Sequence, residues 1–314
     1  MKKWALNKLI QWSGKKIIFP FYHIVSDEDC PHVKHLYPIK RIAKFEEELD
    51  FLQKHFLPLS LEELMEHIKN ETEPEKPSFF LSFDDGLREC YTVIAPILKR
   101  RKIPAAFFLN TGFVGNQALF YRYKISLMIN AMRTSNFEFR TSQNDLLKLS
   151  YHDSDKIEEL AKELNVDFDE FLQNEKPYMN WEEIEELKNQ GFYFGGHSVD
   201  HPLYELISLE EQIRQTQKST EETVNQLNLD YKIFSFPFTD KGVKKEFYQK
   251  IYKEGVCDLS FSTSRFKTDE FRRNLHRFGL EPNHGSVSLF FLKRYFTFVM
   301  NSLIVNNEIK RPND

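Results

Sequence analysis

Ser82-Phe83-Asp84-Asp85-Gly86 and His197-Ser198-Val199-Asp200-His201 lie more than a hundred residues apart, yet together they hold the residue types of a divalent-metal site with a free carboxylate beside it. The aspartates end an apolar run, Pro77 to Phe83, that reads as a buried strand. Gly86 lets the backbone turn there without steric cost. Successive strand side chains point to opposite faces, so the two aspartates cannot do the same job. A strand-end turn relaxes that alternation, and one carboxylate can then bind a metal while its neighbour stays unbound and basic. Two histidines four apart can converge on one ion through a helical turn or a tight loop, leaving positions open for water and substrate. Taken alone, an Asp pair at a strand end is an ordinary turn and a loop histidine is commonplace. Their coincidence points to a hydrolase.

The elements that must carry these residues alternate between short apolar strands and amphipathic helices. Strands are expected over Lys16–Tyr22, Ser78–Phe83, Ala105–Asn110, Phe192–Gly196, Lys232–Phe236, Leu259–Ser262 and Asn274–Leu280. Between them, helical spacing marks Phe45–Phe56, Leu61–Lys69 (opened by Ser60 and a Glu63 capping box), Tyr91–Arg101, Leu209–Leu227 and Lys244–Glu254. This rhythm predicts an α/β fold, a distorted (β/α)7–8 barrel whose chemistry sits at the carboxyl ends of its strands. Residues 115–180 break the rhythm and read as a helical insertion on the active-site side of one 1–314 domain. Asn180 caps the helix that leads back to the core.

The pair SFDDG and HSVDH, with Trp181-Glu182-Glu183-Ile184 opening a helix before the first histidine, resembles the NodB-like polysaccharide deacetylases of carbohydrate esterase family 4. Phe21-Tyr22-His23, Phe236-Pro237-Phe238 and Leu275-His276-Arg277 extend the likeness along most of the chain. The resemblance implies Asp84 as catalytic base, and Asp85, His197 and His201 as ligands of Zn2+, with Co2+ or Ni2+ as alternatives. It also makes His276, in the late leucine-histidine motif, the candidate general acid. Many members carry an Arg two residues before the proline matching Pro237, where it holds the base. Ser235 stands there in this chain, and Arg277 is the candidate replacement. Alternation along the strand lets only one of His276 and Arg277 face the pocket comfortably.

His23, Pro237, Phe238 and Trp181 are the candidate substrate contacts, and a main-chain N–H near Phe238 is the expected oxyanion donor. Asp200 is expected to face solvent or to orient a ligand. His32 and His35 read as mobile surface histidines. The activity implied is metal-assisted removal of an acetyl group, chiefly the N-acetyl of a hexosamine, from a bacterial surface glycan or its precursor. An O-acetyl esterase and an inactive, metal-holding glycan-binding protein are the alternatives.

A net charge of −4 over 314 residues, with a pI near 6.2, argues against a nucleic-acid partner. Cys30, Cys90 and Cys257 lack CxxC spacing and read as free thiols. Some of the 30 phenylalanines must build the core, and others could stack on sugar rings. Neither a signal peptide nor a transmembrane segment is legible, which leaves a cytoplasmic location as the default expectation. Residues 1–14 and 286–314 are amphipathic, and the first carries lysines and no acid. A peripheral membrane contact through them is therefore an expectation, set against packing on the barrel or on another subunit.

Overall fold

In the computed structural model of the protein, residues 2–135, 141–283, 285–302 and 307–313 are described. Eight parallel strand segments form the central sheet: β1 Pro20–Tyr22, β2 Leu81–Phe83, β3 Ala105–Leu109, β4 Tyr193–Gly196, β5 Ile233–Ser235, β6 Leu259–Ser262, β7 Asn274–His276 and β8 Phe278–Gly279. Their order, β7-β6-β5-β4-β3-β2-β1-β8, places two consecutive pieces of one stretch at opposite ends of the sheet. His276 pairs with Ser262 on one edge, and two residues later Phe278 pairs with Pro20 on the other. The stretch Asn274–Gly279 is thus a single stave that nearly closes a seven-stave barrel, and Arg277 sits at the seam.

Alternation sorts the side chains into two layers. Phe80, Phe108, Ile233, Phe261 and Leu275 pack together inside the barrel, with Leu59, Leu61 and Leu64 beneath them. Phe83, Phe107 and Phe194 face outward, stacked one on the next along the sheet, and meet the surrounding helices. Full burial of each such ring contributes roughly 1.5–3 kcal/mol. A small parallel sheet of Leu57–Pro58, Ser78–Phe79 and Ile17–Ile18 lies at the end where the strands begin, opposite the chemistry.

Leu61–Asn70 opens with the Ser60–Glu63 capping box, because both orphan backbone donors there find a side-chain oxygen. The helix Trp181–Asn189 opens with the same device from Asn180 and Glu183. Within residues 115–180, the helices Tyr121–Thr134, Gln143–Lys148, Ser154–Glu163 and Phe168–Glu175 build a second apolar cluster with Ile24, Cys30 and Val33 of the loop after β1. The three cysteines are buried and free. His32 is also buried, its ring between Tyr123 and Phe171, and it is therefore not the surface histidine expected from its polar loop. Apolar residues of the helical segment cover it, a contact distant in sequence.

Candidate active site

The carboxyl ends of β2, β4, β5 and the closing stave meet at one point. Asp84 follows β2 directly and Asp85 adopts a left-handed backbone, φ 72°, followed by Gly86 at φ 66°. That turn breaks the strand alternation and lets both carboxylates reach the same end of the barrel. Ser198 and His201 are also left-handed, at φ 67° and 61°, so the histidines converge through a tight loop and not through a helix. Left-handed non-glycine residues cost of order 1–3 kcal/mol each and persist where packing over-determines them. Here the loop is pinned by Ser198 Oγ accepting the His201 N–H at 3.0 Å, and by Asn110 donating to the His197 carbonyl.

Asp85 Oδ1 lies 3.5 Å from His197 Nε2 and 3.3 Å from His201 Nε2. All three residues are buried, and the three ligand atoms fall within 4.8 Å of one another. His197 Nδ1 is 2.8 Å from the Ser235 carbonyl, an acceptor that puts the proton on Nδ1 and turns the Nε2 lone pair toward Asp85. Tyr123, from the helical segment, donates to Asp85 Oδ2 at 2.7 Å, while Oδ1 has no hydrogen-bond partner. Lone pairs converging on an unpartnered buried oxygen repel unless a cation lies among them. Tetrahedral zinc with bonds of about 2.0–2.1 Å spaces its ligands by roughly 3.3 Å, which these separations match. The donor set therefore fits a divalent ion, with Tyr123 and the Ser235 carbonyl orienting the ligands.

Asp84 is held differently. Arg277 Nη1 and Nη2 bond its two oxygens at 2.7 Å each, and the same guanidinium donates to Ser82 Oγ at 2.9 Å and to Ser235 Oγ. Phe21 and Phe108 flank the guanidinium, 4.5 and 5.3 Å from their ring centroids. Burial opposes the Asp84 charge, but Arg277, and behind it His197, hold its carboxyl below the usual range. Burial likewise opposes charge on Asp85, where His201, His23 and His197 outweigh it and hold the carboxyl well below that range. Burial pulls His197 down to about 4, which keeps the ring neutral and able to ligate.

His23 and Phe238 line a cavity of about 260 Å³ together with Asp84, Asp85, His201, Tyr37, Phe120 and Arg122. His23 Nδ1 lies 2.8 Å from Glu281 Oε2, which leaves Nε2 as the ring nitrogen available to the cavity. Burial would lower its pKa, but Glu281, with help from Asp85 and Asp84, raises it to about 10. Glu281 is fixed in turn by the main-chain N–H groups of His23 and Ile24, and Lys40 anchors the neighbouring Leu280 carbonyl at 2.8 Å.

Three of the sequence-derived site residues lie elsewhere. His276 points away from the barrel interior, its Nε2 2.9 Å from Asp269 in a cluster with Asp240 and Arg311, because its neighbour Arg277 takes the inward position. Trp181 packs against the main core, and Pro237 is not among the cavity's lining residues. Asp200 accepts from Tyr151 and Gln215 at 2.7 Å each and braces the loop without touching either ligand ring. Glu281 and Tyr123 were not singled out from the sequence. Tyr123 lies in the amphipathic stretch Arg122–Met132, but nothing local marks it as a partner of Asp85.

A family model described as polysaccharide deacetylase matches residues 71–253, a span that holds both metal motifs and Ser235. The chain belongs to the polysaccharide deacetylase family. A curated relative, the poly-β-1,6-N-acetyl-D-glucosamine N-deacetylase of Staphylococcus aureus, is 29% identical over 171 residues. That alignment covers 49% of this chain and 59% of the relative, so the chain matches well under two thirds of the relative's length. Among solved structures, the Streptococcus pyogenes deacetylase PplD superposes with a TM-score of 0.58 at 19% identity, over 88% of this chain and 96% of that one. IcaB from Ammonifex degensii gives 0.55 at 16% identity, over 91% and 97%. These likenesses show that the deacetylase fold is shared along nearly the whole chain.

Proposed function

We propose that this protein hydrolyses the N-acetyl group of a hexosamine unit in a bacterial surface glycan or its precursor, releasing acetate and a free amine. The observation that carries the reading is the division of labour between adjacent carboxylates: Asp85 faces two imidazoles, while Asp84 faces a guanidinium and the cavity. The S. aureus relative makes poly-β-1,6-N-acetylglucosamine the first substrate to try. A cavity near 260 Å³ is small beside the roughly 300–1,000 Å³ of ordinary ligand pockets, and suits one sugar unit presented by a longer chain.

Asp85, His197 and His201 would hold a divalent ion, Zn2+ by the donor set, which supplies a water of lowered pKa and polarises the acetyl carbonyl. Asp84 takes the water proton as the water oxygen bonds the carbonyl carbon. A carboxylate held at low pKa by Arg277 is always ionised but is a weak base, so it depends on a water already made acidic. The main-chain N–H of the Phe238 loop meets the developing oxyanion. His23, whose charged ring Glu281 stabilises, then donates its Nε2 proton to the leaving nitrogen as the C–N bond breaks. This assigns to His23 the proton donation that the late motif had suggested for His276.

Acetate release from N-acetylated β-1,6-glucosamine oligomers, from O-acetylated glycans and from neither separates the deacetylase, the O-acetyl esterase and the inactive binder. Release from the O-acetylated substrate alone, or none with the metal-loaded protein, would defeat the proposal.

A further inference from the structure

The helices Lys2–Ser13 and Val287–Ser302 pack against one another on the outside of the barrel. Val287–Ser302 turns Val287, Phe291 and Tyr295 into the core. Its outer face carries Leu289, Lys293, Phe296 and Met300, whose spacing of four, three and four places them in one stripe along the helix. The three apolar members are 45%, 57% and 41% exposed, and Trp12 on the partner helix is 71% exposed. Four of the seven large apolar side chains that the described residues expose thus lie on these two helices. A helix apolar on two sides has one covered and one bare.

Charge selects what covers the bare side. Residues 1–26 and 282–307 contain Lys2, Lys3, Lys8, Lys15, Lys16, Lys293 and Arg294 and no aspartate or glutamate. With a net charge of −4 for the whole chain, these seven cations leave −11 on the remainder. Lys15 and Lys16 turn back onto the Lys267 and Pro74 carbonyls, so they contribute to the field and not to direct contact. A second copy of the chain would present the same positive field and be repelled, whereas an anionic surface would be attracted. No helix among the described residues is long and apolar enough to cross a membrane. We infer that this two-helix face seats on an anionic phospholipid surface, with Trp12, Leu289, Phe296 and Met300 entering the headgroup layer and Lys293 meeting lipid phosphates.

The inference stands apart from the deacetylase chemistry, and so does its test. The full chain is sedimented with vesicles of phosphatidylcholine alone or mixed with phosphatidylglycerol. Binding is expected on the mixed vesicles, weakening as salt screens it. Lys293→Gln is expected to weaken it roughly fivefold. The combined variant Trp12→Ser, Leu289→Ser, Phe296→Ser and Met300→Ser alters only exposed side chains; it should melt like the parent and lose vesicle binding. Brominated lipid should quench Trp12, and Trp12→Phe should remove that component even if the combined variant fails to fold. The inference is overturned by equal affinity for both vesicle types, by unquenched Trp12, or by a dimer that the combined variant dissociates in place of lipid binding.

Discussion

Arg277 meets Asp84 through two parallel hydrogen bonds of 2.7 Å, from a strand 193 residues away in sequence. Ser235, on β5, accepts from the same guanidinium, and its small side chain leaves room for Arg277 to reach past the intervening β6. Arg277→Ala is expected to cut turnover by roughly an order of magnitude or more through mispositioning of the base. It should also destabilise the fold by about 3–5 kcal/mol, because Asp84 is left buried and unpaired. Arg277→Lys keeps the charge but not the two-pronged geometry and should rescue little. Ser235→Ala should change turnover only slightly; steady-state kinetics on an N-acetylated oligomer checks the order.

The ligand set is tested without reference to activity. Elemental analysis should find one divalent ion per chain, lost in His197→Ala and His201→Ala and weakened in Asp85→Asn. Asp84→Asn should keep the ion and lose deacetylation, since the amide preserves shape but accepts no proton. Equal metal loss from both aspartate variants would show that the two roles are wrongly divided.

The proposed mechanism gives His23 the proton donation that the late motif suggested for His276, which lies against Asp269 and outside the cavity. His23→Gln should depress kcat on the amide substrate by about 10²–10⁴-fold, the usual worth of a positioned proton donor. On an aryl acetate, whose leaving group needs no proton, the same variant should stay near the parent rate. His276→Ala should leave the amide-to-ester ratio unchanged. A collapse of that ratio in His276→Ala alone would return the donor role to the late motif.

The His23–Glu281 pair also sets a pH dependence of stability in metal-free protein. His23 has a raised pKa in the fold, about 10 against 6.5 when unfolded, so the native state binds the extra proton between those values. Its contribution is complete below about 6.5 and is lost as pH rises toward 10. Denaturant unfolding of chelator-treated protein should show stability falling across that window, and His23→Gln should flatten the fall.

How far the sequence reached follows from the range of the interactions. The capping box at Ser60 and the cap at Asn180 are local, and those helices start where expected; Leu209–Leu227 also stands where expected, although the face it buries is mostly Gln, Thr and Ser. The Asp84-Asp85 and His197–His201 strings were legible because each packs its chemistry into five residues. Alternation posed the choice between His276 and Arg277, but only the closed barrel shows which one faces Ser82. Glu281 and Tyr123 act through contacts spanning 258 and 38 residues, and neither has a neighbour that marks it. His32 looked exposed for the same reason: the ring that covers it, Phe171, comes from a distant helix.

The stave Asn274–Gly279 bonds both edges of the sheet, and Arg277 lies between its two halves. The tether on Asp84 therefore forms only when this stave is seated between the two edges of the sheet. A half-assembled molecule could hold both metal motifs on β2 and β4 and still lack an anchored base. If Asp84 is the base proposed above, protein arrested with an open seam would bind metal yet lack an anchored base, so activity would report on a closed seam where metal content would not.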